Sequence, residues 1–225
     1  MWIKICANTS LDDALMAAEA GANAVGFVFA KSVRRVTPAQ VRAITPHLPE
    51  SLEKIGVFVN ASLNDLVAAV QDCGLTGVQL HSGCESDAAP RLRERFSSQH
   101  LHILKVVHFQ QGLEVELRLA QADQAVDAVL VDSRTAKLLG GTGVTFDWKA
   151  ARRSFAKLPL RIIVAGGLNL NNVGEAINVL RPWGVDVASG VESAPGKKDP
   201  AKVRAFIENA RIAAMRLPGA EQVRA

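Results

Sequence analysis

A thiol at Cys6, an amide and an imidazole at Gln79 and His81, and a carboxylate at Asp132 each stand where a short apolar run stops. Thiols, imidazoles and carboxyls are the side chains that move protons in enzymes once burial or neighbouring charge has adjusted them. Each also has a plain structural reading: a lone cysteine is most often a small buried hydrophobe, a histidine a satisfied imidazole, an aspartate a cap. Gln79 and His81 are two residues apart, so in a strand they face the same side. Lys105 and His108, and the loop cations Lys31, Arg34 and Arg35, are weaker candidates, because a solvated loop accounts for such cations equally well. Cys73, just before Gly74, and Cys84, in a loop, end no apolar run.

A second chemistry is suggested by small residues. The runs at 161–165 and 184–188 end in Gly166-Gly167 and Ser189-Gly190. Backbone N–H groups that no side chain covers are donors for an anion such as phosphate. The stretch Gly140-Gly-Thr-Gly143 is a weaker signal, lacking the strand-turn-helix spacing of a nucleotide-binding loop.

These groups can converge only if the runs carrying them share one sheet. Short, nearly continuous apolar runs at 3–6, 24–29, 54–59, 77–80, 101–106, 127–131, 161–165 and 184–188 read as parallel strands buried on both faces. Between them lie helical patterns: one capped by Ser10 or Thr9 and stopped by Gly21, then 38–44, 64–72 with Ser62 as cap, 87–96, 113–122, 147–155, 171–180 and 200–215. About eight such units close a single-domain α/β structure, the (β/α)8 or TIM barrel. In that fold chemistry sits at the carboxyl ends of the strands, and phosphate is usually held by the loops after the last two.

Composition agrees with one soluble domain, expected over 1–216 with a frayed tail at 217–225. The 225 residues are 48% apolar and 21% charged, near the ordinary globular mix. No apolar run approaches the roughly 20 residues that span a bilayer, and Met1-Trp-Ile-Lys-Ile starts a strand without a signal-peptide charge pattern. No membrane partner is expected, and the cytoplasm is the expected compartment. The net charge of +4 is dispersed, which argues against nucleic acid and suits a small anion. Three cysteines in this spacing make neither a disulfide framework nor a CxxC metal site.

The ordered segments Lys4-Ile-Cys6, Gly26-Phe-Val-Phe29, Lys31-Ser-Val-Arg34, Gly56-Val-Phe-Val-Asn60, Val78-Gln-Leu-His81, Asp132-Ser133, Gly140-Gly-Thr-Gly143, Phe146-Asp-Trp148, Ala165-Gly-Gly-Leu-Asn169, Val185-Asp-Val187, Ser189-Gly-Val-Glu192 and Pro195-Gly-Lys-Lys-Asp199 resemble the phosphoribosylanthranilate isomerase family across nearly the whole chain. The resemblance implies a barrel without metal or cofactor that performs an Amadori rearrangement in tryptophan biosynthesis. It implies Asp132 as the acid that opens the ribose ring and Cys6 as the base at the sugar's second carbon. It places Arg34 beside the anthranilate, Asp186 near the bridging nitrogen, and the amides of Gly166, Gly167, Ser189 and Gly190 around the phosphate. Gln79 and His81 join Arg34 and Asp186 as substrate-binding candidates. The implied partner is a small phosphorylated substrate, and the implied assembly a monomer or homodimer.

Physical chemistry sets a condition on each proton carrier. Cys6 needs nearby cations or free N–H groups to act as thiolate, and an acid near neutrality must be kept protonated by burial or by an anionic substrate. Ala7 stands where the family usually has glycine and is expected to take an ordinary φ; Ala188 replaces a serine of the phosphate loop. A residue is missing before Lys31, and Ser82-Gly-Cys84 enlarges the turn after His81. Two other readings stand beside this one. A related histidine-pathway isomerase uses two aspartates, against which Cys6 argues; a silent sugar-phosphate-binding barrel has only Ala7 and Ala188 in its favour.

Overall fold

The computed structural model describes residues 1–109, 113–132, 147–156 and 159–217; Ser133 and the glycine stretch 140–143 lie outside the described residues. Eight parallel strands close into a barrel in chain order. They are β1 (Trp2–Ile5), β2 (Ala24–Val28), β3 (Glu53–Phe58), β4 (Gly77–Leu80), β5 (His102–His108), β6 (Ala128–Asp132), β7 (Ile162–Ala165) and β8 (Gly184–Val187). Closure is made by β1, which pairs with β2 on one side and β8 on the other, Lys4 lying opposite both Ala24 and Asp186.

The helices begin and end for local reasons. α1 (Leu11–Glu19) is capped by Ser10, whose hydroxyl accepts from the Asp13 amide. Thr9 is not the cap; its hydroxyl donates instead to the Gly196 carbonyl at 2.6 Å. α2 (Pro38–Ile44) starts with proline at a position that needs no N–H and with a Thr37–Gln40 capping box. α3 (Leu63–Cys73) is capped by Ser62 and stops at Gly74, whose left-handed φ of 59° glycine takes at little cost. α4 (Ala88–Arg95), α5 (Leu113–Ala122), α6 (Trp148–Phe155) and α7 (Val173–Leu180) continue the alternation. After β8 the chain makes a single 3-10 turn (Ser189–Val191) and an antiparallel hairpin, β9 (Glu192–Ala194) with β10 (Lys197–Lys198). α8 (Pro200–Met215) follows, capped by Asp199. Of the tail expected at 217–225, Leu217 packs against the core, and 218–225 lie outside the described residues. Among the described residues no helix is long and apolar enough to cross a membrane.

The period of two along each strand separates two cores. Trp2, Ala24, Ile55, Leu104, Leu130 and Ile163 pack together inside the barrel. Their neighbours Ile3, Val25, Ile103, Val129, Ile162 and Val164 face outward and merge with the helices. Continuing the inner face toward the carboxyl ends gives Lys4 and Cys6, Gly26, Gln79 and His81, Asp132 and Asp186. The same alternation that fills the barrel floor with aliphatic carbon thus fills its mouth with polar groups.

Candidate active site

Lys4, on the inner face of β1, has no exposed surface. Its ammonium donates to Asp186 Oδ1 at 2.8 Å and to Gln79 Oε1 at 2.7 Å. Burial alone would push this ammonium down, but the Asp186 carboxylate and the Cys6 sulfur raise it, and the net displacement is upward. Lys4 is therefore a charged lysine in the barrel interior. Because an ammonium only donates, Gln79 must turn its carbonyl to Lys4 and its NH2 away. That NH2 lies 3.0 Å from His81 Nε2, which is the accepting nitrogen in this arrangement. Asp186, Lys4, Gln79 and His81 form one directed chain of hydrogen bonds across β8, β1 and β4.

Cys6 is the first residue beyond β1 and is 6% exposed. A Cβ built on Gly26 of the adjacent strand would stand 2.7 Å from Cys6 Sγ and 2.9 Å from Lys4 Cε. Any larger residue there would displace both side chains. Burial pushes the Cys6 thiol up, Lys4 opposes, Asp186 adds to the rise and Lys198 opposes; the net displacement is upward. Both lysines favour the thiolate, yet they do not outweigh desolvation.

Ala7 corrects an expectation. It adopts φ of 63°, in the left-handed region, where an L residue with a side chain rarely goes. The reason lies on both sides: the Cys6 amide donates to Val187 O at 2.8 Å and the Asn8 amide to Gly26 O at 2.9 Å. The fully buried Asn8 side chain also donates to Ile5 O at 2.8 Å. With its neighbours tied to β8, β2 and β1, Ala7 must turn left-handed, so the surrounding structure over-determines the strain.

Arg34 belongs to the loop between β2 and α2 and reaches across to the hairpin. Its Nε donates to Glu192 Oε1 at 2.8 Å and its Nη2 to Oε2 at 2.6 Å. Glu192 also accepts from Lys198 Nζ at 3.2 Å, and that ammonium donates to the Ala188 carbonyl. Burial would raise the Glu192 carboxyl, but Arg34 and Lys198 hold it below the usual range. Burial lowers the Lys198 ammonium despite Glu192.

Gly166 and Gly167 follow β7 with φ of 82° and 67°. Asn172 braces this turn, donating to Gly167 O at 3.0 Å and accepting from the Asn169 amide at 2.8 Å. Ser189 and Gly190 open the 3-10 turn after β8. A Cβ on Gly190 would collide with the Leu168 carbonyl, so the loops after β7 and β8 touch only because that residue is glycine. Asp132, the last residue of β6, is 5% exposed and pairs in register with His108 of β5. Among the described residues His108 Nδ1 and Asn8 Oδ1 are buried without a hydrogen-bond partner.

The structure thus brings Cys6, Gln79, His81, Asp132 and Asp186 to one barrel mouth, with Arg34 and the glycine loops on its rim. Cys73 and Cys84 are elsewhere, packed among the outer core residues. Lys4, Glu192 and Lys198 went unread as functional residues. Lys4 left a signal, a lysine at an inward position of an apolar run, whereas the Arg34–Glu192 contact joins residues 158 apart and leaves none.

Residues 3–209 match the family model for N-(5'phosphoribosyl)anthranilate (PRA) isomerase. A relative from Geotalea uraniireducens, N-(5'-phosphoribosyl)anthranilate isomerase, is 44% identical over 210 residues, covering 93% of this chain and 98% of its own. The crystal structure of the Thermotoga maritima enzyme superposes with a TM-score of 0.82 at 37% identity, over 94% of this chain and 98% of that one. A phosphoribosyl anthranilate isomerase in complex with reduced 1-(o-carboxyphenylamino)-1-deoxyribulose 5-phosphate superposes at 0.79 with 35% identity, again over 94% and 98%. The chain belongs to the phosphoribosylanthranilate isomerase family.

Proposed function

We propose that Asp132 and Cys6 are the acid and base of a tryptophan-pathway isomerisation that converts N-(5-phosphoribosyl)anthranilate to 1-(2-carboxyphenylamino)-1-deoxyribulose 5-phosphate. The reaction is that of the family. The observation supporting these residue roles is their common placement: a buried thiol just beyond β1 and a buried carboxyl at the end of β6 share the inner face of one barrel mouth. Asp132 gives its proton to the ribose ring oxygen, and the bond from that oxygen to the first carbon breaks as the anthranilate nitrogen supplies a lone pair. The open chain is then a cationic Schiff base. Cys6 takes the proton from the second carbon, and those electrons form an enolamine while the nitrogen recovers its pair. Proton return to the first carbon and loss from the second hydroxyl give the ketone.

The electrostatics of the site favour this order. Before substrate binds, the thiol is held protonated by burial and Asp186. A cation created beside Asp186 joins Lys4 and Lys198 in favouring the thiolate just when a base is needed. Gln79 and His81 hold the Lys4–Asp186 pair and the sugar's hydroxyls, and the amides of Gly166, Gly167, Ser189 and Gly190 receive the phosphate. All these residues come from one chain, so a monomer suffices and a homodimer is compatible; the compartment is the cytoplasm. No cofactor enters any step.

The test is kinetic. Cys6→Ser and Asp132→Asn should each lower kcat by about 100-fold or more while affinity for the product analogue stays within a few fold, because each removes proton transfer and leaves the cradle. Either variant turning over at the wild-type rate under saturating substrate would move that role elsewhere, with His81 the next acid to examine.

A further inference from the structure

The barrel order places β1 between β2 and β8, so a bridge from the loop after β2 to the segment after β8 passes over the end of β1, where Cys6 lies. Arg34 and Glu192 make that bridge. Glu192 is 8% exposed and ties three cationic side chains together. It receives Nε and Nη2 of Arg34 on its two oxygens, Lys198 on Oε1, and Lys202 Nζ on its backbone carbonyl at 2.8 Å.

A guanidinium has two hydrogen-bonding edges. Glu192 occupies the edge formed by Nε and Nη2, leaving Nη1 and the outer N–H of Nη2 as a second fork. The Arg34 side chain keeps 21% of its surface exposed. The three groups Arg34, Lys198 and Glu192 sum to a charge of +1 (two cations less one anion), so pairing with Glu192 fixes the arginine without cancelling the attraction for an anion. Lys198, 2% exposed, secures the far side of the carboxylate by its second bond to the Ala188 carbonyl.

We propose that Glu192 is a positioning residue that presents the free fork of Arg34 to the aromatic carboxylate of the substrate, and so sets specificity for an anthranilate rather than an uncharged arylamine. The proposal rests on the function assigned above and names which part of the substrate this pair selects. Glu192 touches no reacting atom. Its effect belongs to binding of the carboxylate-bearing ring and leaves the phosphate end alone.

Calorimetric titration of Glu192→Gln with reduced 1-(o-carboxyphenylamino)-1-deoxyribulose 5-phosphate, and separately with inorganic phosphate, tests this. Affinity for the analogue should fall by about tenfold, the worth of one well-aimed charge-assisted hydrogen bond, with phosphate affinity unchanged. In steady state the loss should fall on KM, with kcat within about threefold. If Glu192→Gln alone proves unstable, the pair Arg34→Gln and Arg34→Gln/Glu192→Gln keeps the question open to measurement. The double variant should bind the analogue no more weakly than the single one. Unchanged analogue affinity in folded Glu192→Gln, equal loss for both ligands, or a further tenfold loss in the double variant would overturn the role of Glu192. Wild-type turnover is a separate reading: its failure removes the reaction assigned above and not the analogue's dependence on Glu192.

Discussion

At the scale of the residue, Cys6 is governed by two opposed magnitudes, desolvation that keeps its proton and lysines that favour losing it. Lys198 is the cation that can be removed without breaking the Lys4–Asp186 pair. Lys198→Met should move the thiol's titration upward, because a neutral side chain no longer favours the thiolate. Alkylation of Cys6 by iodoacetamide, followed by peptide mapping across pH, reads this directly. The wild-type rate should reach half its plateau above the ordinary value of 9.0, and the variant at still higher pH; a coincident or lower midpoint in the variant would show that Lys198 does not act on the thiol. At Ala7 opposing contributions nearly balance. Replacing it with glycine relieves a left-handed φ worth about 1–2 kcal/mol, but adds about 0.5–1 kcal/mol of unfolded-chain entropy and forgoes about 0.8 kcal/mol of methyl burial. These nearly cancel. Ala7→Gly should keep stability within about 1 kcal/mol by thermal unfolding and turnover within a few fold, since Cys6 and Asn8 remain tied to β8 and β2. A loss of activity beyond about tenfold would mean that the methyl group itself holds the thiol in place.

At the scale of the element, the proposed phosphate cradle depends on two loops in contact. Gly167 sits at φ of 67°, and its carbonyl is held by Asn172. Gly167→Val should abolish measurable binding of inorganic phosphate, since a branched side chain resists that φ and stands over the amides. Ser189→Ala should cost only about 1 kcal/mol, the net worth of one hydrogen bond. A folded Gly167→Val protein with unchanged phosphate affinity would place the anion elsewhere. The elements were readable because their local chemistry is explicit: α2, β4, α5 and α8 fall within the bounds that their apolar runs and caps announce. The β9–β10 hairpin was not, since a pairing as short as Glu192–Ala194 with Lys197–Lys198 carries no alternation to detect. It is stabilised by distant groups instead, among them Thr9 on Gly196 and Asp13 on the Lys198 amide.

At the scale of the whole molecule, closing the barrel turns a sequence pattern into a site. Each proposed proton carrier was visible at the end of an apolar run, and their convergence follows once eight parallel strands close. The electrostatic frame was hidden, because it depends on contacts between distant residues: Lys4 meets Asp186 across 182 positions, and Arg34 meets Glu192 across 158. No periodicity reports such pairs. The left-handed Ala7 was hidden for the same reason, its conformation being imposed by β8 and β2 rather than by its own type. The central claim is that this mouth catalyses the rearrangement as well as binding its ligand. The most direct measurement follows the fluorescence of N-(5-phosphoribosyl)anthranilate mixed with the purified protein. A catalytic decay that consumes many equivalents of substrate, and is lost in Cys6→Ser, is the expected result. An undiminished signal from a folded protein that still binds the reduced product analogue would contradict it and leave a sugar-phosphate-binding barrel without the reaction.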